Sequence, residues 1–125
     1  MKTKITALLT LIFLASATIY AQNIHRRTVA EKVKKTMDMI KTPLKLDPSQ
    51  AGRTDSVFTE FYQALYQLNV DAKASGGSPG RSAFEKILNA RDEKLKVIFT
   101  ADQYSGFKNG VEDLLRPYWQ SHEGN

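Results

Sequence analysis

His25 and His122 are the only imidazoles in this chain, and they stand near opposite ends of residues 22–125. No cysteine accompanies them. That excludes a thiolate nucleophile, a disulfide and any cysteine-based metal centre. A zinc site at either histidine would need carboxylates or a second subunit to complete it. The acidic pairs Asp92-Glu93 and Glu112-Asp113 are adjacent in sequence. Neighbours on a helix point in different directions, so neither pair converges on one substrate as an acid and a base. Both pairs read as solvated faces. Gly76-Gly77 lacks the surrounding pattern that cradles a phosphate. The expectation is a protein without catalytic residues, metal or cofactor.

What remains is binding chemistry. Arg26, Arg27, Lys32, Lys34, Lys35 and Arg53 concentrate positive charge in the first half of residues 22–125, and Phe58, Tyr62 and Tyr66 follow them. A basic surface carrying apolar patches attracts an acidic unfolded chain at long range and then holds its apolar segments. These nine residues are the candidates for binding such a client. The alternative places the aromatics in a hairpin core or dimer interface and the lysines on a solvated face.

Two short motifs set the elements that position these residues. Leu46-Asp47-Pro48-Ser49-Gln50 and Phe99-Thr100-Ala101-Asp102-Gln103 each hold an apolar residue, a capping residue, two spacers and a glutamine. That is the layout of a capping box with glutamine at the third helical position. The copies are offset by 53 residues. The same offset aligns Phe58 with Val111, Phe61 with Leu114, Tyr62 with Leu115 and Leu65 with Tyr118. Two related helical hairpins are predicted. The direct role of Leu46, Asp47, Gln50, Phe99, Thr100 and Gln103 is to start helices, each cap contributing on the order of 1 kcal/mol.

Four helices follow from the apolar periodicity. The first runs from about Arg27 to Lys41, with Val29, Val33, Met37 and Ile40 on one stripe and lysines on the other face; Pro43 closes it. The second begins at Pro48 and runs to about Lys73 with a broad aromatic face. Ser75-Gly76-Gly77-Ser78-Pro79-Gly80 breaks the chain, and Ser78 before Pro79 is placed to cap the third helix. That helix carries Phe84, Leu88, Arg91, Leu95 and Ile98 on one side. The fourth starts at Thr100, with Phe99 stapled onto Tyr104. Pro117 is expected to end or kink it, leaving a frayed tail from Ser121 to Asn125. No strand pattern competes. The fold class is all-α: an elongated four-helix arrangement of two hairpins.

The beginning of the chain has a different character. Lys2 and Lys4 precede an uncharged apolar run, Ile5 to Ile19, that ends at Ile19-Tyr20-Ala21. This is the layout of a Sec signal peptide cleaved after Ala21. The alternative is a retained anchor, for which the run is short of the roughly 20 residues a span needs. Residues 1–21 are therefore read as a leader and residues 22–125 as a single domain. Removing Lys2 and Lys4 lowers the formal net charge of +5 by two. For an exported protein this mild excess points to unfolded polypeptide or a membrane surface, not nucleic acid. A small domain without disulfides has little core to rely on, which favours a homodimer.

With two motifs at hairpin spacing behind a leader, the chain resembles the Spy/CpxP family of periplasmic proteins, whose mark is a repeated Leu-Thr-x-x-Gln motif. The stretches Arg91 to Tyr104 and Met37 to Gln50 carry the likeness. Asp47 stands where the family has threonine and Phe99 where it has leucine; both keep the capping physics. The resemblance implies pairing into a curved, cradle-shaped dimer that acts as an ATP-independent periplasmic chaperone in the envelope stress response. It also implies two alternatives: a modulator that binds the sensor domain of an envelope-stress kinase, and a zinc-binding stress protein.

Overall fold

The computed structural model describes residues 27–120. The expected leader, His25, Arg26, His122 and the expected tail from Ser121 lie outside the described residues. Within them the chain is all-α. Helix α1 is Val29–Ile40, α2 is Pro48–Ala74 and α3 is Arg81–Ile98. The last helix is built of α4, Ala101–Gly106, a π-helical turn at Phe107–Val111, and α5, Glu112–Gln120. α2 is the spine, packing against α1 on one side and α3 on the other. Its 27 residues give it a length of roughly 40 Å.

Local chemistry explains each helix start and stop. Thr28 caps α1 by accepting from the Glu31 amide at 3.2 Å. Past Ile40 the chain turns once more and closes with Leu46 N–H on Lys41 C=O and Lys45 N–H on Thr42 C=O. This is a Schellman closure, and its left-handed position is occupied by Lys45, at φ 52°. The same closure ends α2, with Gly77 N–H on Ala72 C=O and Gly76 N–H on Lys73 C=O, both 3.0 Å. There the left-handed residue is Gly76, which adopts it without a Cβ clash.

Two sequence expectations fail locally. Ser78 does not cap α3: the cap position is Gly80, which offers no side-chain acceptor. Pro117 does not end the last helix, which continues through it to Gln120. The proline removes one N–H donor, and the helix survives because Leu115 and Trp119, on either side of it, are buried in the core. Helical stability of this kind comes from tertiary packing more than from propensity.

Both hairpins share one core. Phe58 meets Phe107 edge-on at 6.1 Å, and Phe61 meets Trp119 at 6.0 Å, so α2 rings interlock with the last helix. Phe99 is buried and meets the Phe107 ring edge-on at 6.2 Å. Tyr104 packs at the core's margin. No helix among the described residues is long and apolar enough to cross a membrane.

Candidate functional site

The two motifs form capping boxes as their spacing requires. Asp47 accepts from the Gln50 amide at 2.7 Å, and Gln50 Oε1 accepts from the Asp47 amide at 3.1 Å. Thr100 and Gln103 repeat this at 3.1 and 2.9 Å. The boxes then bond to each other. Gln50 Nε2 donates to Gln103 Oε1 at 2.7 Å, and Gln103 Nε2 donates back to Gln50 Oε1 at 3.2 Å. Each amide also reaches the chain that enters the opposite box: Gln50 Nε2 donates to Ile98 C=O and Gln103 Nε2 to Leu44 C=O, both at 3.1 Å. The result is a reciprocal clasp joining the bend of one hairpin to the bend of the other.

A second polar cluster sits where α3 meets the π turn. The Arg91 side chain is fully buried, on the apolar stripe of α3. Its guanidinium lies over the rings of Phe61, Phe107 and Trp119 at 4.9 to 5.3 Å. Nε and Nη2 donate to Asp92, and Nη2 also donates to Glu112. Lys108 Nζ bridges the same carboxylates, at 3.0 Å to Asp92 and 2.9 Å to Glu112. Burial pulls the Lys108 ammonium down, but the hydrogen bonds and charges of Glu112 and Asp92 outweigh it and raise its pKa. Each acidic pair is thus split. Asp92 and Glu112 turn inward, contrary to the solvated reading, while Glu93 and Asp113 stay exposed. An arginine at a core position needs carboxylates close by, because an unpaired buried charge is costly.

The expected client-binding residues separate into two groups. Phe58 and Tyr62 are buried, at 0% and 1% exposure, so both are core residues and not surface patches. Lys32 is buried too, with its ammonium 5.9 Å from the Tyr62 ring centroid. It follows Tyr62 inward because α1 lies along α2, and its stem packs where a solvated lysine was expected. Burial, together with the charge of Arg27, lowers the Lys32 pKa. Burial pushes Tyr62 up to about 12, against the pull of its hydrogen bond with Thr36 and the charge of Arg91. That Thr36–Tyr62 bond is 2.7 Å long and buried. Arg27 lies over the Tyr118 ring at 5.1 Å.

Lys34, Lys35, Arg53 and Tyr66 remain on the surface, Tyr66 at 60% exposure. Val70, Val97 and Leu114 join it as exposed apolar side chains. Solvent-open grooves run between the helices of the described residues, three of them as follows. One, of about 670 Å³, lies between α1 and α2 with Val29, Val33 and Met37 in its lining and Lys34 at its side. A second, about 260 Å³, lies between α2 and α3 around Ala64, Ile87 and Ala90. The third, about 460 Å³, is walled by α2, the 78–80 segment, α3 and α5. No group of three metal-ligating side chains occurs among the described residues. Comparison with protein-family models, with curated proteins and with solved structures gives no match.

Proposed function

We propose that the protein is an ATP-independent periplasmic chaperone that holds unfolded polypeptides and limits their aggregation during envelope stress. The observation that carries this reading is the set of solvent-open grooves with apolar side chains in their linings, on a scaffold whose two bends are clasped together. Grooves of that kind suit short apolar segments of many sequences better than one small substrate. Arg81 and Arg116 in the third groove favour acidic chains at long range, whereas Asp38 and Asp55 offset Lys34 and Lys41 in the first. The leader-like segment before Gln22 and the paired motifs, which resemble those of the Spy/CpxP family, support the same reading. A homodimer of curved shape belongs to it: pairing two copies extends the surface offered to a client.

The test is light scattering of a chemically unfolded client diluted into buffer without nucleotide. Suppression at stoichiometric amounts supports the reading. Scattering equal to that of a client-only control overturns it.

A further inference from the structure

The groove between α2, α3 and α5 differs from the other two in the sign of its lining. Its charged residues are Arg81 and Arg116, and no carboxylate lines it. The α2–α3 groove sets Glu60 against Lys86 and Lys94, and the α1–α2 groove sets Asp38 and Asp55 against Lys34 and Lys41. The floor of the cationic groove is apolar, with Phe84 and Trp119 rings 6.0 Å apart and Leu65 and Leu68 beside them.

The helix end in its wall has no side-chain acceptor among the described residues. Gly80 and Arg81, where α3 begins, are both lining residues. Gly80 has no side chain to accept from the first turn of this 18-residue helix, and no acid stands in that turn. Free amides at the positive end of a helix attract a carboxylate. Trp119 is nine-tenths buried, and its Nε1–H, itself closed to solvent, has no acceptor among the described residues. Arg81 and Arg116 are held only by exposed pairs within their own helices, to Glu85 and Asp113. Such pairs are weak enough for an incoming carboxylate to replace.

We propose that this groove takes an acidic–apolar segment of an unfolded polypeptide, its apolar side chain against Phe84 and Trp119 and its carboxylate capping α3 at Gly80–Arg81. The proposal rests on the chaperone reading and adds to it the class of segment held and the place that holds it.

Trp119 is the chain's one tryptophan, so its emission reports from the groove. The full protein is titrated with acetyl-Phe-Asp-Leu-Asp-amide and with its isostere carrying Asn for Asp. The acidic peptide shifts the emission saturably and binds about tenfold tighter at low salt, from the helix end and the two arginines together. High salt removes most of that difference. Gly80→Asp supplies the cap from within. The site accepts it, since the backbone is extended and a new Cβ meets nothing within 4 Å. This variant keeps its fold and loses the preference for the acidic peptide, as does the pair Arg81→Gln and Arg116→Gln. Equal affinity for the two peptides, or an unchanged preference in Gly80→Asp, overturns the proposal. Light scattering on the same preparation separates the two failures. Aggregation suppressed without peptide discrimination sinks the groove assignment alone. Aggregation not suppressed sinks the chaperone reading and the client assignment with it.

Discussion

Replacing Gln103 probes the clasp directly. Its side chain takes part in four hydrogen bonds: from the Thr100 amide, to and from Gln50, and to Leu44 C=O. Each such bond contributes about 0.5–1.5 kcal/mol net, and the part-buried setting lets water replace some of them. Gln103→Ala is therefore expected to cost about 2–3 kcal/mol. A domain of this size has a total stability of about 5–10 kcal/mol, and the loss lowers Tm by roughly 10–20 °C. Gln103→Glu separates two roles. Glutamate serves a capping box as well as glutamine does, so a purely local role makes this change neutral. The clasp needs the Nε2 donors that glutamate lacks, and it sets the new carboxylate against two oxygen acceptors, Gln50 Oε1 and Leu44 C=O. The expected cost is about 1–2 kcal/mol at neutral pH. Urea unfolding of both variants, with Gln50→Ala and the double alanine variant, completes a cycle whose coupling energy should be about 1–2 kcal/mol. Additive single effects, or a Gln103→Glu variant as stable as the parent, would refute the clasp.

Other variants test neighbouring parts of the account. Arg91→Met leaves Lys108 alone to compensate Asp92 and Glu112, and unfolding should show a loss of about 3–5 kcal/mol. Lys45→Gly relieves a left-handed side chain and should raise stability by about 0.5–1 kcal/mol, read as a higher urea midpoint at constant slope. Tyr62 is held protonated in the fold, with its pKa raised to about 12 from 10.0. The stability it confers is complete below pH 10 and falls as pH rises towards 12, because only the unfolded chain ionises there. Stability measured against pH should therefore decline more steeply across that window in the parent than in Tyr62→Phe. At neutral pH the same variant should be less stable by about 1–2 kcal/mol, because the Thr36 hydroxyl loses its buried partner.

What the sequence reveals about this molecule divides by range. Asp47, Gln50, Thr100 and Gln103 are legible as caps because a capping box is closed by residues three apart. Their meeting across the molecule is not legible, since nothing local says that two glutamines 53 residues apart share hydrogen bonds. The apolar stripes locate the helices, and Arg91 stands on one of them. A cation at a core position is itself a signal for buried carboxylates, yet adjacency in sequence made Asp92 and Glu112 look solvated. The π turn had only a faint mark, the glycines Gly106 and Gly110 close before Pro117. It turns Lys108 and Glu112 onto the side that meets α3. Pro117 and Ser78 misled because local preferences yield to burial at Leu115 and Trp119 and to the chain's exit from Gly76. Phe58, Tyr62 and Lys32 show the converse: a broad aromatic face on a long helix is filled by two neighbours, α1 and the last helix, instead of facing solvent.

The claim that this scaffold holds unfolded chains is tested most directly by how fast it captures one. Stopped-flow mixing with a labelled, acidic unfolded client follows the rate as salt rises from about 0.01 M to about 1 M, over which the screening length falls from roughly 30 to 3 Å. Capture that is fast at low salt, and slows severalfold as the cations are screened while a bound fraction persists through apolar contact, is the predicted result. No capture at any salt would contradict the account.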